Sequence, residues 1–288
     1  ECGEQTMTIY DTCRLILTNL YLFVKDMYTE SATVDFDLLY KVCYETMRLG
    51  DNLVDLEIEY LDRILKKIKE DSEQIEFDLW TNVKDMAKNG RRVGCGITAL
   101  GDMLAALLLK YGEEESFEIV DKVMHTKMEA ELDCSIDLAI LRGAFDGFDA
   151  DLEFPDGQGG NDFYTMLLNE FPVQVERMKK YGRRNINWST IAPAGSVSIL
   201  TQTTSGCEPL FSPYYFRRKK INPNEVNSQV DFVDQNGDSW TEYPVLHPKF
   251  KNWIISSSYS DLEGVDAGLS QDYLKHSYEK SPWYMSTA

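Results

Sequence analysis

Short apolar runs alternating with long helical periodicities constrain this chain more than any other feature. RLILTNLYLFV (14–24) and INWSTIA (186–192) have strand length, and a third stub precedes the glycines of RRVGCGITALGDMLAALLLKYG (91–112). Between the first and third, Leu38, Leu39, Val42, Met47, Leu53, Leu56, Ile58, Leu61, Ile64, Leu65 and Ile68 recur at three- and four-residue steps, which predicts a helix over 35–70. A second long amphipathic helix is expected over 114–143. Strands separated by long helices pair at least partly in parallel, so the expected class is α/β.

The remaining elements follow from local signals. Residues 69–78 are polar and read as a loop or helix break before a helix at 79–88. DGFDADLEFPDGQGGND (146–162) is an acidic, glycine-containing surface loop, and a helix follows over 162–181. Asn236-Gly237 stands between two alternating runs, a hairpin signal. The last forty or so residues read as short helical pieces and loops.

Net charge is −19, so the surface repels phosphate backbones and anionic membranes, which argues against a nucleic-acid polymer or a membrane as partner. A phosphorylated small molecule remains compatible, through a local feature. The six cysteines, Cys2, Cys13, Cys43, Cys95, Cys134 and Cys207, include no CxxC pair, and the three histidines are far apart, so no metal site is expected. Dispersed cysteines in a chain of 288 residues indicate a reducing, cytoplasmic setting.

Two glycine-bearing stretches invite a nucleotide. Gly94-x-Gly96-x-x-Ala99 has dinucleotide-fingerprint spacing, but its leading strand is a stub and the acids at Glu113–Glu115 fall at a helix end; glycines easing a close strand-to-helix turn are the preferred reading. In IAPAGSVSILTQ a buried strand ends at a proline and small residues open the next element. A helix there would offer free amides to phosphate, and an ordinary helix start fits the spacing equally well. The basic runs Arg91-Arg92, Arg183-Arg184 and Arg217–Lys220 are expected to form internal salt bridges in so acidic a chain.

Cys2 and Glu4 lie two apart and share one side of an extended segment. The carboxylate raises the thiol's pKa, so the pair suits a neutral sulfur radical and a separate proton acceptor better than a thiolate nucleophile. Cys13, further on, could supply reducing equivalents with a partner thiol.

These stretches together resemble the ribonucleotide reductase catalytic chain, in its adenosylcobalamin-dependent class II form. The resemblance is carried by CGEQ with YDTCRLILTNL, by GRRVGCGITALGDMLAALLLKYG, by the long block YGRRNINWSTIAPAGSVSILTQTTSGCEPLFSPYYFRRKKINPN, and by VDFVDQNGDSWTEYPVLHPKF. It implies part of a ten-stranded α/β barrel: the finger-loop tip at 1–12, barrel strands and helices over 13–206, and a hairpin with late-barrel segments over 207–288. It implies that Cys2 becomes the thiyl radical that takes the ribose 3′ hydrogen, that Glu4 takes the 3′-hydroxyl proton, and that Cys13 is one of two thiols that reduce the 2′ position. Ala192, Pro193, Ala194, Gly195, Ser196, Val197 and Ser198 then match the substrate phosphate loop, with Ala194 where the family usually has threonine. Ile16 and Leu17 replace small residues of the family pattern.

Adenosylcobalamin, a ribonucleotide substrate, a thioredoxin-like reductant and the remainder of the barrel, in cis or as a separate chain, are the implied cofactor and partners. The expected segment is central to late in a reductase: a truncated frame, one part of a split enzyme, or a stretch once joined to an intervening element. The 288 residues alone are expected to be inactive, because the partner of Cys13 lies on an earlier strand in the family. Alternatives are a class I large subunit served by a separate radical-generating subunit, a non-catalytic piece that acts by pairing with a complementary chain, and an NAD-binding oxidoreductase through Gly94–Ala99.

Overall fold

The computed structural model describes residues 4–71, 74–222, 230–257 and 270–284. Residues 4–13 run without regular secondary structure into β1 (Arg14–Asn19). The apolar run 14–24 does not continue as one strand. The Asn19 side chain accepts from the Tyr21 amide and turns Leu20–Phe23 into a 3-10 turn, whose buried Leu20, Tyr21 and Phe23 enter the core. A minimal hairpin of β2 (Val24–Lys25) and β3 (Thr33–Val34) follows, then α1 (Phe36–Asp71).

Helix α1 buries Leu39, Met47, Leu61 and Ile68 of the expected stripe together with Cys43, Gly50 and Val54, whereas the expected Leu38 and Leu56 are exposed. The described part of the expected 69–78 loop is helical, since α1 runs to Asp71 and α2 from Gln74 to Gly90. The chain then enters β4 (Val93–Thr98), which pairs in parallel with β1, Arg14 opposite Val93 and Asn19 opposite Thr98. Gly50 is where α1 crosses the sheet: a Cβ there would collide with Val93 Cγ1. Ala99, in the left-handed region at φ 69°, makes the turn from β4 into α3 (Leu100–Ala106). Gly94 and Gly96 therefore lie within the strand, and the turn they were expected to ease is made by Ala99.

Helix α4 (Glu114–Arg142) packs beside α1 on the same side of the sheet. Met47, Val54, Val93, Cys95, Leu132, Cys134 and Ile136 form one continuous buried cluster there. Such fully buried side chains contribute about 1.5–3 kcal/mol each. The acidic loop contains a short α5 (Ala150–Glu153), and the single helix expected over 162–181 is two, α6 (Asp162–Glu170) and α7 (Pro172–Tyr181). Pro172 breaks the ladder and restarts it, as its missing amide allows at a first helical position.

The expected strand at 186–192 is present only locally. Ser189 bridges Cys95 in parallel, the Asn187 carbonyl accepts from Val93, and the Thr190 amide donates to Cys95. The chain continues into α8 (Gly195–Thr201), and Ser205 returns to bridge Thr98. β5 (Tyr214–Lys220), β6 (Phe232–Val233) and β7 (Ser239–Leu246) form an antiparallel sheet with β7 central, and Gly237 at φ 83° supplies the predicted turn. Helices α9 (Pro248–Ser257) and α10 (Gln271–Lys280) cover its end. Mixed helices and parallel strands bear out the α/β class. Among the described residues the strands do not close into a barrel.

Candidate functional site

The two faces of the parallel sheet differ. Val93, Cys95 and Ile97 point toward the helices, and Gly94 and Gly96 carry the other face. There the missing side chains make room for β1. A Cβ on Gly94 would stand 2.6 Å from Cys13 Sγ, 2.8 Å from Leu15 Cδ2 and 3.1 Å from Thr190 Cγ2, and one on Gly96 would collide with Leu17. Leu15 is half exposed, so this face is only partly covered by the described residues.

Cys13 sits half-buried at the head of β1. Its thiol approaches Gln5 Oε1 at 3.7 Å, and Gln5 Nε2 donates to the carbonyls of Val93 (2.7 Å) and Ser189 (2.9 Å). Gln5 thus ties the segment before β1 to two strands at once. The sequence reading missed this residue, which has no signature beyond its place beside Glu4. Flanking cations are held by acids: Arg14 pairs with Glu57, and Arg92 with the buried Asp11 carboxylate at 2.7 Å. Burial pushes the Cys13 thiol pKa up; Arg92 and Arg14 oppose this, while Asp11 and Glu4 add to it.

Glu4 is exposed and lines, with Gln5, a cavity of about 510 Å³ whose other walls include Phe163, Tyr164, Trp188, Thr190 and Ile191. The same strand segment leads directly into the 192–198 turn. Cys2 lies outside the described residues. In the turn, Ala192 and Ala194 are buried and Gly195, Ser196 and Val197 are exposed. The Ala194 amide donates to Ser205 Oγ at 2.8 Å, the Ser198 hydroxyl to the Gly195 carbonyl at 2.7 Å, and Gly195 takes φ 39°. No side chain caps α8, and the Val197 amide donates to the Ala194 carbonyl at 2.9 Å. Glu4, Gln5, Cys13 and Thr190 therefore gather at one end of the sheet, with the turn just beyond Thr190 along the same strand.

Arg91, Arg92 and Arg183 are buried in ion pairs as expected, whereas Arg217–Lys220 lies on an exposed face and pairs at the surface. Arg91 pairs with Asp51 and Asp55, Arg183 with Glu153, Arg218 with Glu242 and Lys220 with Asp238.

A family model described as ribonucleotide reductase, barrel domain, matches residues 1–261. The vitamin B12-dependent ribonucleoside-diphosphate reductase of Mycobacterium tuberculosis is 26% identical over 217 residues, 75% of this chain and 24% of that protein. The protein of the same name from Thermoplasma acidophilum is 28% identical over 225 residues, 78% and 23% of the two chains. The ribonucleoside-diphosphate reductase subunit alpha of Helicobacter pylori is 28% identical over 211 residues, 68% and 26%. The chain thus spans about a quarter of the length of these relatives.

Proposed function

Because the chain belongs to the ribonucleotide reductase family through its barrel domain, we propose that it serves the reduction of ribonucleotides to 2′-deoxyribonucleotides as part of a complete catalytic chain. Cys2 is the thiyl radical position at a finger-loop tip inside a ten-stranded barrel, and Glu4 accepts the 3′-hydroxyl proton. Cys13 and a second thiol give up two electrons as they join in a disulfide, and the 2′-hydroxyl leaves as water. The 192–198 turn holds the substrate phosphate. A thioredoxin-like protein returns the disulfide to thiols, and the rest of the barrel comes in cis or from a companion chain.

The observation that carries this reading is the position of Cys13 on the sheet face opposite the helices, beside Gln5 and Thr190. A thiol that must meet substrate belongs on that face and not in the helix-side core, where Cys43, Cys95 and Cys134 are buried.

Adenosylcobalamin is the radical source in this reading, which the names of two relatives, vitamin B12-dependent ribonucleoside-diphosphate reductases, support. In the class I alternative, a separate subunit delivers the radical to the same thiol.

The test is turnover by the full-length protein with a ribonucleoside diphosphate or triphosphate, dithiothreitol and adenosylcobalamin, followed by electron paramagnetic resonance. A cobalamin-dependent radical signal that Cys2→Ser abolishes is expected. Turnover that survives Cys13→Ser with thioredoxin as reductant would sink the role given to Cys13. The 288 residues alone are expected to give no deoxynucleotide.

A further inference from the structure

The segment carrying the 192–198 turn is poorly laddered. Val93 and Cys95, two residues apart on β4, donate to the carbonyls of Asn187 and Trp188, which are adjacent. A regular parallel ladder would step by two on both strands, so the register slips here. Only Ser189 forms a bridge.

Two side chains stitch this weak junction from opposite faces. Gln5 reaches it from the open face and binds the Val93 and Ser189 carbonyls. Lys127 reaches it from α4 on the helix face. Its ammonium donates to the Cys95 carbonyl at 2.8 Å and to Ser189 Oγ at 2.7 Å, and stands 2.8 Å from Glu131 Oε1. Both members of this ion pair are fully buried. A buried lysine is unfavourable unless its charge is balanced and its donors are used, and helix packing alone would be served better by an apolar side chain. An ordinary i,i+4 surface pair accounts for neither the burial nor the two contacts to the sheet.

We propose that Lys127 is a positioning residue that fixes the 187–191 segment against β4 and thereby sets where the 192–198 turn stands. Ser189 is the shared point, held through its hydroxyl by Lys127 and through its carbonyl by Gln5. The consequence for substrate rests on the phosphate reading of that turn; the strand register does not.

The test uses Lys127→Met/Glu131→Leu, which removes both charges together, and Lys127→Arg, both in the full-length protein. Ser189→Ala serves as the mild variant should the double one fail to fold. Peptide-resolved hydrogen exchange over 186–198 is expected to speed up by about tenfold or more in the double variant and by less in Ser189→Ala. Peptides from 36–54 stay unchanged, and Lys127→Arg keeps most of the protection. The nucleotide KM rises with kcat little altered. Unchanged exchange over 186–198 in the folded variants would overturn the proposal, as would an equal rise throughout the chain. Faster exchange there with an unchanged KM upholds the positioning role and counts against the phosphate reading alone.

Discussion

Cys13 lies directly over Gly94, close enough that a Cβ on the glycine would stand 2.6 Å from the sulfur. The thiol's position is thus set by the absence of a side chain on the neighbouring strand, and the thiol approaches Gln5 Oε1 at 3.7 Å.

Gly94→Ala is expected to displace Cys13 and Leu15 together. Overpacking of this kind destabilises by about 1–3 kcal/mol. Urea unfolding reads the loss, and faster modification of Cys13 by a disulfide reagent reads the displacement. A variant as stable as the parent, with an unaltered Cys13 rate, would show that the sheet relaxes without strain.

The Cys13 thiol is pushed above its ordinary pKa, mainly by burial. Its alkylation rate should reach its plateau at a higher pH than that of an exposed thiol. Arg92→Met removes the largest opposing influence and should shift the profile further upward, as iodoacetamide kinetics in a variant retaining Cys13 as the sole reactive cysteine would record.

Burial raises the Glu131 pKa from 4.5 to about 7 against the pull of Lys127. A carboxyl with a raised folded-state pKa binds its proton more tightly in the folded than in the unfolded chain. It therefore lowers stability as pH rises from about 4.5 to about 7, with the full loss present above that window. The stability difference between the parent and Glu131→Gln, measured by denaturant unfolding, should change across that window and be flat above it.

Asp102 is fully buried and accepts from the Thr204 amide (2.8 Å), His247 Nε2 (2.8 Å) and Trp283 Nε1 (3.3 Å). Asp102→Ala strands three donors and is expected to destabilise by about 3 kcal/mol or more, at roughly 1–3 kcal/mol for each unsatisfied group. Asp102→Asn, which retains an acceptor, should lose less. Thermal unfolding of the two variants decides the order.

The long helices were legible because an apolar stripe follows from period: Leu39, Met47, Leu61 and Ile68 face inward as counted from the sequence, while Leu38 and Leu56, counted with them, lie on the exposed side, and Val54, not counted, is buried. The end of β1 was not, because Asn19 caps a 3-10 turn inside an unbroken apolar run, and an apolar run does not reveal where it bends. The 162–181 stretch reads as one helix, and Pro172 divides it because a proline is admitted at a first helical position but not in a helix interior. Within the candidate site, Cys13 stood out by residue type, and Glu4 by its distance from Cys2. Gln5 and Lys127 did not, since each acts on backbone carbonyls supplied by strands more than 30 residues away. Gly94 and Gly96 were noticed for the wrong motif. Their use is to clear a strand face, which spacing cannot distinguish from a nucleotide turn.

The crossing of α1 over β4 at Gly50 makes that glycine a fulcrum. From there to Asp71 the helix extends about 32 Å at 1.5 Å per residue, well past the end of a six-residue strand. A tilt of roughly 5° at the crossing swings the far end by about 3 Å. Fluorophores placed near Asp71 would therefore magnify sub-ångström adjustments of β4, giving a distant gauge of events at the thiol end without touching it.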